Sequence, residues 1–267
     1  MRYFFIAEKR FKKPHFNLRE VYGIIAPAMR KEIKYYGIHA CLSLWEKRPE
    51  DIIRVYLDES NLKQFSPLLK WCANSRKAYH IIPSSELNKV SDSIHHEGVC
   101  VLAKERPAFS SEEFLKNLPK QTCLIYLDGV ENPHNLGSIL RTAAHFGIPY
   151  ILGENLQITP SACRIAKGGA EIVRLVSLNR PKDMLAKLEA QGFSVIATSA
   201  HQGDSLYRFS FPPRSIIAIG SESTGLKSPF LKKARAIRIP GTGCVESLNV
   251  AVATALCIGK YCSQYGK

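Results

Sequence analysis

Asn135 and Arg141 stand six positions apart in DGVENPHNLGSILRTAAHFG, residues 128–147, across the start of a predicted helix. An amide can donate and accept hydrogen bonds and a guanidinium can bind an anion, so the pair could serve a ligand as well as the helix. Leu136, Ile139, Leu140, Ala143 and Ala144 recur at helical spacing and form one apolar stripe, and Arg141 lies off it. Helical side chains lean toward the N-terminus, so Arg141 is expected to lie back over Gly137 toward the loop 128–135, where open α/β sheets take their ligands. Taken by themselves, a helix N-cap accounts for Asn135 as well as a ligand role does, and a solvated helix residue accounts for Arg141 better.

Two later segments have chemistry of their own. Gly220-Ser221-Glu222-Ser223-Thr224-Gly225 follows the apolar strand IIAIG, and Ser228-Pro229 opens a short helix with a cap and a proline at its first position. Glycines let backbone amides come close to a ligand, although an isolated Gly-Ser turn is an ordinary turn. Neither a G-x-G-x-x-G fingerprint nor a Walker A loop occurs in the chain. From Ile239 to Ala253, Pro240, Gly241 and Gly243 interrupt regular structure, Ser247 is the predicted N-cap and Asn249 falls in the first turn. The helix after it, VAVATALCIG, is apolar on almost every side, which suits burial in a core or at a subunit contact.

The elements that must position these residues fall into two parts. Leu18 to Tyr36 reads as a helix bent or broken near Pro27, IIRVYL at 52–57 as a strand and 61–75 as a helix with Leu62, Phe65, Leu68, Leu69 and Trp71 inward. AYHII at 78–82 and GVCVLA at 98–103 are further strands. Trp45 and Trp71 suit core packing better than base stacking. Residues 104–121 are polar and bracketed by prolines, with Ser110 or Ser111 capping a short helix through Leu118. From Thr122 strands and helices alternate: TCLIYL, a helix from 136, IPYIL, a helix near 161–167, RLVSL and a helix at 182–190. Then come SVIATS, IIAIGS, a short helix from 228, AIRIP and a last helix from 247. The fold class is α/β, with a parallel-sheet domain preceded by a smaller α/β unit. The expected boundaries are a basic arm at 1–15, a small α/β domain at 16–103, a linker at 104–121 and a second domain at 122–267.

Charge points to a polyanionic partner. The 267 residues carry 37 Lys and Arg against 23 Asp and Glu, a formal net charge of +14. The excess is spread over both parts: residues 1–110 hold 19 basic and 12 acidic groups, and 111–267 hold 18 and 11, so each is +7. That distribution lets both parts face the same nucleic acid. Lys9-Arg10-Phe11-Lys12-Lys13 could be an arm on RNA phosphates or a solvated end. The eight cysteines form no C-x-x-C pair, and no paired histidines supply zinc spacing, so a reduced, cytoplasmic protein without metal is expected. YFFIA is too short for a signal-peptide core, and no apolar run reaches the roughly 18 residues of a membrane span.

In order and spacing class, NPHNLGSILRT, GSESTGL and IP…ESLNVAVA resemble the three motifs of the SpoU-type RNA ribose 2'-O-methyltransferases, over roughly residues 122–262. Residues 16–103, with EVYG at 20–23 and HHEGV at 95–99, resemble that family's substrate-binding domain. The resemblance implies a trefoil-knotted domain using S-adenosyl-L-methionine, active as a homodimer on ribosomal or transfer RNA. It implies that Arg141 is catalytic, with Asn135 placing the ribose, Glu222 orienting Arg141, and Ser247 and Asn249 completing the polar wall. Thr198, Ser199, Ala200, His201, Gly220, Ile239 and Leu248 would frame the cofactor. The adjacent His95 and His96 are read as domain packing or RNA contact, not metal ligands. Two other readings share the charge and the fold: an RNA-binding protein or chaperone without catalysis, and an RNA base methyltransferase.

Overall fold

The computed structural model describes residues 30–106, 109, 111–116 and 118–266. The basic arm and the expected helix before residue 30, with its break at Pro27, lie outside the described residues. The end of that expected helix is a strand instead. Glu32–Tyr36, β1, pairs antiparallel with β4, Val99–Lys104, from Glu32 opposite Lys104 to Tyr36 opposite Cys100. Ile33 and Tyr36 are spaced as one helical face would be, but EIKYY also alternates, and the β4 edge supplies main-chain partners no helix could use.

The first sheet has the order β1-β4-β2-β3, with β2 at Ile52–Leu57 and β3 at Ala78–Ile81. Helices α1, Ile38–Lys47, and α2, Leu62–Asn74, bury Leu44, Phe65 and Leu68 in the core, with Leu69, Trp45 and Trp71 packed partly against it. Helix α3, Ser84–Ser91, packs on β4 and β1. The short helix α4, Ser111–Lys116, comes next, and its Phe114 is fully buried.

The second sheet has seven strands in the order β7-β6-β5-β10-β8-β11-β9, and every pairing in it is parallel. The strands are β5 Thr122–Asp128, β6 Tyr150–Gly153, β7 Arg174–Ser177, β8 Ser194–Thr198, β9 Asp204–Ser205, β10 Arg214–Gly220 and β11 Arg235–Arg238. Their apolar runs carry helices on both faces. One face holds α5, Pro133–His145, with α6, Pro160–Ile165, α7, Gly169–Ile172, and the last helix α9, Val250–Gln264; the other holds α8, Pro181–Ala190, and α4. Two-residue β9 has no signal in the sequence pattern.

One apolar core runs without a break from Tyr35 and Val55 of the first sheet to Ile125 and Leu140 of the second part. Polar groups reinforce the junction. Buried Arg48 donates from Nε and Nη2 to the two carboxylate oxygens of Glu171 at 2.9 and 3.0 Å, and from Nη1 to Asp51 at 3.1 Å and the Lys104 carbonyl at 2.6 Å. Arg106 donates to the carbonyls of Ala170 and Val173 at 2.7 and 2.8 Å. Burial and the neighbouring Arg174 pull the Arg106 guanidinium down to about 10. No helix among the described residues is long and apolar enough to cross a membrane.

Candidate active site

Because the strands run parallel, the loops after β5, β10, β8 and β11 all leave the same edge of the sheet. Asn249, which comes after β11, ties three of the segments together. Its amide nitrogen donates to Asn135 Oδ1 at 3.0 Å and to Glu222 Oε1 at 2.7 Å. Its oxygen accepts from the backbone N–H groups of Ala251 at 2.9 Å and Val252 at 3.3 Å. Both donors and both acceptor sites of the amide are therefore used. The carboxylate of Glu222 can only accept, which fixes the amide orientation. Glu222 Oε1 also accepts from the N–H of Val250 at 3.4 Å.

This corrects the expected cap of α9: Asn249 is the N-cap, and Ser247, exposed, lies before it. The cap of α5 is likewise Asn132, whose side chain accepts from the His134 N–H at 2.9 Å, with Pro133 at the first helical position. Asn135 is thereby released from capping. It is buried, 7% exposed, and its amide nitrogen has no partner among the described residues. Two N–H donors remain for a substrate.

Arg141 stands apart from this network. It is exposed and has no hydrogen-bond or ion-pair partner among the described residues, so the expected Glu222–Arg141 bond is not formed; Glu222 serves Asn249 instead. Six residues of α-helix put Arg141 roughly 120° around the axis from Asn135. A Cβ on Gly169 of α7 would lie 3.1 Å from the Arg141 Cα, so Arg141 rises where α5 meets α7. Gly137 does not clear a path for the guanidinium. A Cβ there would sit 2.7 Å from Ile165 Cβ and 2.8 Å from the Ala162 carbonyl oxygen, so this glycine lets α5 and α6 approach.

The turn 220–225 closes on itself through paired backbone bonds between Ser221 and Gly225, at 2.9 and 3.1 Å, and a 2.8 Å Ser221–Thr224 hydroxyl contact. Gly220 permits it: a Cβ there would lie 2.1 Å from the Gly225 carbonyl carbon. Asp128, at the end of β5, is a site residue that sequence reasoning missed. Its Oδ2 accepts from the N–H groups of Lys227 and Ser228 at 2.6 and 2.8 Å, and its Oδ1 accepts from the Ser228 hydroxyl at 2.8 Å. An acidic residue ending a fully buried strand was the available signal.

The expected cofactor residues line the adjoining strand ends. Thr198 donates to the Ala218 carbonyl at 2.9 Å, and the Ser199 hydroxyl accepts from the N–H groups of His201 and Gln202 at 3.2 and 3.1 Å. His201 approaches Glu246 at 4.0 Å, so the loops after β8 and β11 meet. Ala200 and His201 are exposed, Ile239 packs partly on the core, and Leu248 is 42% exposed. Half-buried backbone beside small side chains and two aliphatic groups suits a planar base and its ribose. The histidine pair divides: His96 is buried, 3.0 Å from Asn88 Oδ1 and accepting from the Gly98 N–H at 2.8 Å, and His95 is exposed. No group of three or more His, Cys, Asp or Glu among the described residues could hold a metal ion.

Comparison with known proteins bears on this arrangement. Residues 122–259 match the model of the SpoU rRNA methylase family, and residues 35–108 match the model for RNA 2'-O ribose methyltransferase substrate binding. The chain is 35% identical over 237 residues to YfiF of Escherichia coli O157:H7, named an uncharacterized tRNA/rRNA methyltransferase, covering 88% of this chain and 69% of that protein. It is 28% identical over 230 residues to the 23S rRNA (guanosine-2'-O-)-methyltransferase RlmB of Salmonella typhimurium, covering 84% and 95%. The SpoU methyltransferase AviRb of Streptomyces viridochromogenes, solved with AdoMet, shares the fold with a TM-score of 0.72 at 18% identity, over 88% of this chain and 91% of that one. With three motif loops gathered at one edge of a parallel sheet and a family model matched along that whole sheet, the chain belongs to the SpoU rRNA methylase family.

Proposed function

We propose that this protein methylates a ribose 2'-hydroxyl in structured ribosomal or transfer RNA, with S-adenosyl-L-methionine as donor. The observation that carries the reading is the hydrogen-bonded Asn135–Asn249–Glu222 cluster, at the strand edge where the loops of the three motifs meet. When bound, the donor supplies a sulfonium methyl group. Thr198, Ser199, Ala200, His201, Gly220, Ile239 and Leu248 would hold it, largely through main-chain groups. The two free N–H donors of Asn135 orient the acceptor ribose. Arg141, exposed and without a carboxylate partner among the described residues, is available to an RNA phosphate and to the oxyanion that forms as the hydroxyl loses its proton. A planar guanidinium with several N–H donors is suited to that stabilising role. Ser247 completes the polar wall from the loop before α9.

The functional modules are a basic arm at 1–15, an RNA-binding part at 16–103, a linker at 104–121 and a catalytic part at 122–267. The placement of β8 between β10 and β11 supports a knotted crossing of the chain at the cofactor loops. Leu248, Val252 and Leu256, spaced four apart and 42, 48 and 36% exposed, form an apolar strip that supports a homodimer with the subunit contact beside the site. The eight cysteines form no disulfide and seven of them are buried, which suits the reducing cytoplasm.

The test is transfer of tritiated methyl from S-adenosyl-L-methionine to RNA lacking the modification, followed by nucleoside analysis. The expected product is a 2'-O-methyl nucleoside, and a 2'-deoxy residue at the target position should receive no label. Label on a base, or incorporation into the deoxy substrate, would replace this reading with base chemistry. Tight RNA binding with no donor affinity in equilibrium dialysis would replace it with a non-catalytic one.

A further inference from the structure

The four-stranded sheet has one face turned into the core and one only partly covered. Tyr35, Val55 and Val101 point into the core. Side chains alternate across a strand, so their neighbours Glu32 and Lys34 on β1, Leu102 and Lys104 on β4, and Arg54 and Tyr56 on β2 occupy the other face. His80 of β3 sits in register with Tyr56 and joins them. Helix α3 crosses β4 and β1 and covers part of that face, and Asp92 at its end pairs with Lys34 at the surface. Next to it, Tyr56 and His80 stack with ring centroids 5.4 Å apart and planes 21° from parallel. Arg54, exposed, donates to the Tyr56 hydroxyl at 3.3 Å and has no carboxylate partner among the described residues. All four residues of β3 are exposed, and β3 is the sheet edge.

We infer that this open face is a stacking platform for unpaired RNA bases: Tyr56 and His80 receive one or two bases, and Arg54, Lys104 and Lys34 take the flanking phosphates, Lys34 by exchanging its solvated carboxylate. Charge selects the occupant. Arg54, Lys34 and Lys104 outnumber Glu32 and Asp92 on the face, Arg54 has no carboxylate partner among the described residues, and with the chain's formal charge of +14 they call for a polyanion; the flat ring pair calls for one with exposed π-faces. Single-stranded RNA offers both, whereas A-form duplex hides its bases and would meet only the cations. The inference deepens the proposed RNA methylation by giving the substrate a second foothold, on the N-terminal sheet, away from the strand edge where Asn135 and Asn249 meet. The tryptophans, packed against the core, are not available for this task.

The experiment uses the full chain and a fluorescein-labelled ten-nucleotide single-stranded RNA carrying one 2-aminopurine, beside the same sequence as a duplex. Anisotropy gives affinity and 2-aminopurine quenching reports stacking. Tyr56→Ala and His80→Ala should each weaken single-strand binding about tenfold and relieve quenching. Tyr56→Phe, which keeps the ring but loses the hydroxyl that accepts from Arg54, should retain the quenching and lose less affinity than Tyr56→Ala. Arg54→Ala should lower the slope of log affinity against log salt by about one. Circular dichroism checks that each variant is folded. Wild-type affinity and quenching in Tyr56→Ala and His80→Ala, or equal loss on duplex and single strand, would overturn the platform. The same variants, assayed for methyl transfer, separate the two claims. Platform binding without any methyl incorporation by the wild type would remove the methylation reading and leave the platform. Methylation with no effect of the variants on binding would do the reverse.

Discussion

Two polar clusters in this protein are built on opposite principles. Around Arg48 every group is buried and paired: the guanidinium spends its donors on Glu171, Asp51 and the Lys104 carbonyl. Around Asn249 the pairing is just as complete at the centre but stops short at the rim, where Asn135 keeps two donors and Arg141 has no partner among the described residues. A closed network stores stability, because opening it leaves a buried charge uncompensated. An open one stores binding capacity, because its loose donors are aimed at something not yet there. The contrast separates the junction of the two parts from the site, although α7, which carries Glu171, packs on α5, which carries Asn135 and Arg141.

The largest effect should come from the open end. Arg141→Ala is expected to lower methyl transfer about 100-fold or more, as removal of an oxyanion-stabilising donor does, with donor affinity in equilibrium dialysis unchanged within about twofold. Because the side chain is exposed and makes no ion pair among the described residues, thermal stability should hardly move. Full turnover in this variant would dissolve the contrast, since the rim would then carry no chemistry.

Arg48→Met tests the closed end. Removing one partner of a buried ion pair costs about 3–5 kcal/mol, so the urea midpoint should fall sharply while the folded fraction keeps its turnover. A variant that loses turnover before it loses stability would show that the junction also sets the site. Asp128→Asn lies between the two. It keeps the shape but weakens charge-assisted bonds to Lys227 and Ser228, for a loss of about 2 kcal/mol. Donor affinity should drop several-fold because the 220–228 turn loosens.

The sequence made these regions visible to different degrees for a physical reason. Strands β5 and β10 are legible because both faces are buried and the apolar run is continuous. The α5 and α9 starts each differ by three residues from those the pattern predicts because nearby polar residues compete for one cap. Asn132-Pro133 had a local signal, a cap followed by proline, that favoured it over Asn135. For Asn249 over Ser247 the deciding contact is Glu222, 27 residues away in the chain. The Arg48–Glu171 pair spans 123 residues, and neither partner sits in any pattern that would announce it. Periodicity reports which face is buried, not which polar groups meet there.

The smallest effect sharpens the comparison at the level of single thiols. Cys244 is exposed in the loop before α9, and the other seven cysteines are buried. Burial pushes Cys72 up to about 11 and Cys100, Cys163 and Cys257 up to about 12 from an ordinary 9.0, so these thiols stay protonated and shielded at pH 8. A disulfide reagent should therefore label native protein once, quickly, at Cys244, and the Cys244→Ser variant should lose that phase. Bound donor should slow it if the 239–249 loop frames the cofactor. The buried thiols fix the alkaline limit by the opposite sign. A folded-state value raised above the unfolded one favours the protonated native form, so their contribution is intact below about pH 9 and fades as pH climbs toward 12. Labelling of the buried set should begin only as that stability is lost. A second fast thiol at pH 8 would mean that the interior shared by the two parts opens as readily as the site does.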